Sequence, residues 1–321
     1  MRWAVALLAA ASLLAGSAGC GGAGAEPGAP RGAVLVLDFI PNPVHSGIYS
    51  AEQQGLYREA GVELEIQQPG ESTDAPKLLA AGRAELAVLD IHDLGIARER
   101  GLDLVGLLPI VQRPLASVIA RGNGPVRRPR DLEGRTVGVT GLPSDEAVVD
   151  SVLGADGANS AAAERVTIGF NAVSALAAEQ VDAATGFWNA EGVALRRQGI
   201  PTRVFKVDDY GAPPYPELVL ATSHETLAES PGLIEAVVEA TEAGYEQVVA
   251  HPRQALGDLL AANPSLDRAE QQAQLDALLP ILDPQPFDPS VLREWSSWDV
   301  EHGLLERPVD LAAAFRLDGA G

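Results

Sequence analysis

Apolar and polar positions alternate along this chain with two periods, and the switches between them mark a repeated strand–helix–strand plan. Residues 34–39 (VLVLDF) are a run of branched apolar side chains, which predicts a buried strand. Pro41-Asn42-Pro43 stops it, because proline cannot extend a ladder. A helix is expected over 46–57, with Ile48, Ala51 and Leu56 on one face. Gly61 closes it, and 62–66 alternates as a second strand. This βαβ unit gathers Asp38, Phe39, Asn42 and His45 where its first strand ends. Ligands of open α/β sheets bind beyond the carboxyl ends of strands, so a binding site is expected there.

The same reading continues down the chain. Strands are expected at 85–89, running into Asp90, and at 104–110, 136–140, 165–170, 182–186, 203–207 and 217–222. Helices are expected at 74–81, 91–100, 144–153 with Ser144 as N-cap, and 171–179, followed by one that contains Glu191. From Thr226 onward the pattern is mainly helical, at 231–250, 253–262, 267–279, 289–302 and 309–315. Strands alternating with helices call for largely parallel sheets. The helical tail follows a strand pattern that is already complete, which favours a chain that leaves one lobe, builds a second and returns. The apolar stretches 115–120 and 217–222 are the expected crossings. They divide the chain into one lobe of 32–118 plus 222–321 and another of 119–221, with a ligand between them.

Composition narrows the partners. The 321 residues carry 23 basic and 44 acidic side chains, a net charge of −21. No basic cluster is large enough to track a phosphate backbone, and the run Arg127 to Arg130 reads as a solvated loop, so nucleic acid is not expected as a partner. The N-terminus carries Arg2, a short apolar run over 4–15, small residues, and then Cys20. That run is too short to span a bilayer as a mature helix. It resembles a bacterial lipoprotein signal of 1–20, in which the cysteine is lipidated and becomes the new N-terminus; Ser17 stands where that pattern prefers leucine. Residues 21–31, rich in Gly, Ala and Pro, then read as a flexible tether. With one cysteine in the chain no internal disulfide forms. Five widely spread histidines give no metal-ligand spacing, and neither a GxSxG elbow nor a phosphate loop is present.

Six segments in order carry a resemblance: PNPVH (41–45), LLAAGRAELAV (78–88), IVQRPL (110–115), TVGVTGLPSDEAVVD (136–150), VDAATGFWNAEG (181–192) and APPYPELV (212–219). Together they resemble the NMT1/THI5-like proteins over residues 33–315. The resemblance implies the α/β, type II periplasmic-binding-protein fold, two α/β lobes joined by two crossing segments. That family includes substrate-binding lipoproteins of ABC importers for thiamine pyrimidine precursors and, in fungi, a pyrimidine synthase. The synthase branch holds pyridoxal phosphate on a lysine, whose apparent position here is Asp90, and carries a cysteine cluster where this chain reads GAPPYPE. Only Lys77 and Lys206 are present in the whole chain. A receptor without enzymatic activity or cofactor is therefore expected, monomeric, held to the membrane by its lipid outside the cytoplasm, and delivering a small pyrimidine to an ABC permease.

The resemblance also implies site residues. A flat, neutral aminopyrimidine wants aromatic faces and a few fixed donors and acceptors. Trp188 and Tyr215 are expected to flank the ring, with Phe39 near them. Glu191, three residues after Trp188, is expected to accept from the amino group and a ring N–H. Asn42, His45, Asp90 and Ser144 complete the expected contacts, whereas Glu217 reads as a strand-edge residue. Two rivals stay open: the same fold with a sulfonate, riboflavin or other aromatic cargo, for which Arg113 is the nearest sulfonate partner, and a pyrimidine synthase.

Overall fold

The computed structural model describes residues 30–69, 75–282 and 285–317. The leader, Cys20 and the tether as far as residue 29 lie outside them. The described residues build two five-stranded sheets. The first contains β1 (Arg31–Val36), β2 (Val62–Gln67), β3 (Leu86–Asp90) and β4 (Leu104–Pro109). The second contains β5 (Ala116–Arg121), β6 (Thr136–Val139), β7 (Glu164–Thr167), β8 (Ala183–Phe187) and β9 (Thr202–Lys206). The chain then returns to the first sheet as β10 (Leu218–Ser223).

The two sheets share one plan. Their orders are β2-β1-β3-β10-β4 and β7-β6-β8-β5-β9. In the first, β1 runs parallel to β2 and β3, and β10 is antiparallel to β3 and β4. In the second, β6 runs parallel to β7 and β8, and β5 is antiparallel to β8 and β9. Each sheet thus takes in one antiparallel strand at the point where the chain enters from the other.

This topology corrects the expected crossings. Residues 115–120 and 217–222 lie largely in β5 and β10, and boundaries at 118/119 and 221/222 cut through them. Both strands are buried on two faces, and a continuous apolar run is what such a strand requires. The passages between sheets are the stretches before them, 110–115 and 207–217, where Pro114 and then Pro213, Pro214 and Pro216 interrupt strand pairing. Two smaller differences have local causes. The helix expected over 46–57 is broken at Gly55, whose φ of 81° is left-handed. The strand expected to reach Phe170 ends at Thr167, ahead of Gly169.

Alternation along β1 separates two cores. Leu35 and Leu37 pack with Ile48 and Ala51 from the helix Ser46–Gln54 and with Val237 and Tyr245 from the helix Pro231–Ala250. Val36 faces the other cluster, which also holds Leu94, Trp295 and Phe315. The two helices of the first cluster cross at glycines. A Cβ on Gly244 would stand 2.1 Å from the Gly47 carbonyl oxygen, and one on Gly47 would stand 2.4 Å from the Tyr245 ring. The close crossing lets the Tyr245 hydroxyl donate to the Val44 carbonyl at 2.8 Å, which anchors the turn after β1.

Candidate functional site

A cavity of about 150 Å³ opens between the two sheets. An apolar cavity of that size in another protein admits a single six-membered ring. Its walls come from the carboxyl ends of the parallel strands (Phe39, Asp90, Thr140, Phe187) and from the starts of the antiparallel ones (Ala116, Leu218). Both lobes contribute because each sheet turns its strand ends toward the other.

The turn after β1 is built around its own polar atoms. Asn42 Oδ1 accepts from the Val44 N–H at 3.0 Å, and its Nδ2 donates to the Ile40 carbonyl at 3.0 Å. His45 Nδ1 accepts from the Asn42 N–H at 3.2 Å, which leaves Nε2–H to donate to Asp38 Oδ1 at 2.8 Å. Asp38, Phe39 and Asn42 line the cavity. His45 does not: it is fully buried behind them, so its expected ligand contact is replaced by the task of orienting Asp38.

Asp90 ends β3 at the cavity wall and caps the helix Ile91–Glu99 by accepting from the His92 N–H at 2.8 Å. Burial pushes its carboxyl up to about 7; His92 pulls it down and Glu217 adds to the rise. Asp93 also rises to about 7, through burial and then Asp90. His92 Nδ1 lies 2.7 Å from Asp299 Oδ1, both groups being buried. Burial pulls the imidazole down, but Asp299, Asp90 and Glu217 outweigh it and raise it to about 10. Glu217, read from sequence as a strand-edge residue, is 1% exposed and lines the cavity. Its Oε2 accepts from the backbone N–H groups of Leu115 and Ala116, so the second passage between lobes is tied to the end of the first.

On the second sheet, Glu191 opens the helix Glu191–Arg197 and its Oε2 accepts from the Phe187 N–H at 2.8 Å. It lines the cavity, and burial raises its carboxyl. Ser144 also lines the cavity but is not an N-cap. The helix Pro143–Ala155 starts one residue earlier, and Asp145 accepts from the N–H groups of Thr140 and Gly141 at its mouth.

Trp188 and Tyr215 do not flank the cavity. Trp188 is turned to the opposite side, where its Nε1–H donates to the Pro114 carbonyl at 3.0 Å and Lys206 Nζ sits 3.7 Å from its ring centroid. Trp188 opens the turn that follows β8, and its N–H donates to the Leu115 carbonyl at 3.0 Å, while Phe187 before it and Asn189 after it line the cavity. Tyr215 is fully buried among His92 and Trp298, with ring centroids 4.8 and 6.0 Å away. The aromatic wall is instead Phe39, Phe187 and Phe170, the last 54% exposed at the mouth. The Phe39 and Phe170 centroids are 5.2 Å apart, and these rings belong to different lobes. Phe170, Phe187, Asn189 and Glu217 were missed from sequence. Phe187 and Asn189 are the immediate neighbours of Trp188 in the segment singled out from sequence; nothing local pointed to Phe170.

The sequence relationships agree with this geometry. A model of NMT1/THI5-like proteins matches residues 42–255. A formylaminopyrimidine-binding protein of Halalkalibacterium halodurans is 31% identical over 291 residues, 88% of each chain. A Legionella pneumophila protein named 4-amino-5-hydroxymethyl-2-methylpyrimidine phosphate synthase is 23% identical over 268 residues, 83% of each chain. Among solved structures, the alkanesulfonate-binding protein SsuA of Xanthomonas axonopodis pv. citri, bound to MOPS, superposes with a TM-score of 0.72 at 18% identity, covering 89% of this chain and 98% of that one. At that identity the likeness concerns the fold alone. The two sheets, their shared strand plan and the family match together make this chain a member of the NMT1/THI5-like family with the type II periplasmic-binding-protein fold.

Proposed function

We propose that the protein is an extracytoplasmic receptor of an ABC importer. Anchored through a lipid on Cys20, it closes two lobes around a thiamine pyrimidine precursor of the formylaminopyrimidine or hydroxymethylpyrimidine type and passes it unchanged to a permease. One lobe carries β1–β4 and β10, and the other β5–β9. The observation that carries this reading is the charge of the cavity wall. Asp38, Asp90, Asp93, Asp145, Glu191 and Glu217 line it against a single cationic group, His92, which is already paired with Asp299, and no lysine or arginine lines it among the described residues. A ring rich in N–H donors finds acceptors there. A sulfonate would meet like charge at short range with little solvent to screen it. Arg113, the sulfonate partner weighed from sequence, is paired with Asp208 and lies off the cavity.

Three further points favour this cargo and a receptor. The cavity suits one ring rather than the fused rings of riboflavin. The Halalkalibacterium halodurans relative is named for a formylaminopyrimidine. Neither lysine reaches the cavity: Lys77 lies exposed on the helix Ala75–Ala80, and Lys206 covers Trp188. A Schiff base to an aldehyde cofactor therefore has no amine at this site, although synthases are among the relatives.

Calorimetric titration of the mature chain with formylaminopyrimidine, hydroxymethylpyrimidine, thiamine, riboflavin and taurine tests the assignment. Micromolar binding of a pyrimidine, about 8 kcal/mol, is expected. Binding of taurine alone would refute it. A visible Schiff-base band on adding pyridoxal phosphate would move the protein to the enzyme branch.

A further inference from the structure

Among the described residues that line the cavity, Asn189 alone has both polar side-chain atoms buried and without a protein partner. Its relative exposure is 0%. A buried amide is normally hydrogen-bonded, since desolvating it without a partner is costly. The turn that carries Asn189 is held on every side. The Trp188 N–H donates to the Leu115 carbonyl at 3.0 Å, and the Ala190 N–H donates to the Phe187 carbonyl at 3.1 Å. The Trp188 indole is fixed on Pro114, and Glu191 clamps the Phe187 N–H. The backbone is thus set firmly, while the amide it presents is left unsatisfied. That is the arrangement of a preorganised recognition group.

We propose that Asn189 determines specificity by reading the edge of a heterocycle on which an amino group stands next to a ring nitrogen. Its Oδ1 accepts from the amino group, and its Nδ2 donates to the ring nitrogen. Asparagine reads adenine in DNA through the same donor–acceptor pair. Neither an alkyl sulfonate nor a ring lacking the amino group offers that pair. The proposal rests on the pyrimidine reading above and narrows it, because the amino edge, rather than the substituent at position 5, becomes the recognised feature.

The test is a cycle of two ligands and three proteins, the mature chain, Asn189→Leu and Asn189→Asp. The ligands are 4-amino-5-hydroxymethyl-2-methylpyrimidine and its analogue with hydrogen in place of the amino group. The unsubstituted protein should prefer the amino compound at least tenfold by calorimetry. Asn189→Leu should lose that preference, with most of the loss on the amino compound. Its ligand-free melting temperature should equal or exceed that of the parent, because an unpaired buried amide is removed. Asn189→Asp, nearly isosteric, keeps the acceptor for the amino group and lacks the donor to the ring nitrogen that both ligands carry, so it should weaken both at least tenfold and keep the preference; it serves as the test if the leucine variant does not fold. An unchanged preference in Asn189→Leu, or unchanged affinities for both ligands in Asn189→Asp, with a lowered ligand-free melting temperature, would assign Asn189 to structure and overturn the proposal while leaving the pyrimidine reading intact. Absence of binding of both pyrimidines to the unsubstituted protein would remove the pyrimidine reading and this proposal with it.

Discussion

Neighbouring residues at the end of β8 have opposite fates, and the difference decides what each substitution does. Trp188 faces Pro114 and Lys206, so Trp188→Ala is expected to leave pyrimidine affinity within about twofold while lowering stability by roughly 3 kcal/mol, in the range for a truncated aromatic. Glu191 lines the cavity, so Glu191→Gln should weaken binding at least tenfold, about 1.4 kcal/mol. Calorimetry and urea melts on the two variants separate these outcomes, and equal affinities would take Glu191 out of the site. Asp90 yields a pH prediction. Its folded value near 7 lies above the ordinary 3.8, so the folded protein keeps a proton that the unfolded chain has released. Stability therefore falls as pH rises between those values. Asp90→Asn keeps the acceptor for the His92 N–H and removes the titration. The stability of the parent relative to Asp90→Asn should decline across that window and level off above it. A difference independent of pH would mean that Asp90 is not held protonated.

At the scale of elements, what brings Asp38 and Phe39 to the cavity is a helix crossing far along the chain. Pro231–Ala250 approaches Ser46–Gln54 through Gly244 and Gly47, and Tyr245 then holds the Val44 carbonyl. Gly244→Ala puts a methyl group where backbone already stands. It should destabilise the fold by roughly 2–3 kcal/mol, the upper range of overpacking, as read by urea midpoint. A change below about 0.5 kcal/mol would mean that the two helices separate without cost. The strands and the helices at 46–54, 91–99, 231–250 and 289–301 were legible from periodicity, because each buries one face or two. The crossings were not legible. A two-face-buried strand and an apolar linker look alike in one dimension, and only ladder pairing in β5 and β10 tells them apart.

At the scale of the whole molecule, two passages join the lobes, and Glu217 ties one to the other through buried hydrogen bonds. Phe39 and Phe170 meet across the mouth from opposite lobes. A ligand that touches both walls favours the closed arrangement by its differential affinity for it. The radius of gyration from small-angle scattering should fall when pyrimidine is added and stay constant with taurine; no fall at saturating pyrimidine would remove hinge closure from the account. No helix among the described residues is long and apolar enough to cross a membrane.

The order of strands and helices, the acidic balance, the family and the first strand's end as part of the cavity wall were all set by the linear pattern, because periodicity and motif spacing are local quantities. Tertiary structure alone decided which aromatic rings line the cavity, which carboxylates share it, and that a buried amide stands beside them. Those depend on which way a side chain points at a strand end and on contacts between residues about 200 positions apart, such as Tyr245 on Val44 and Asp299 on His92. No reading of neighbours along the chain contains that distance.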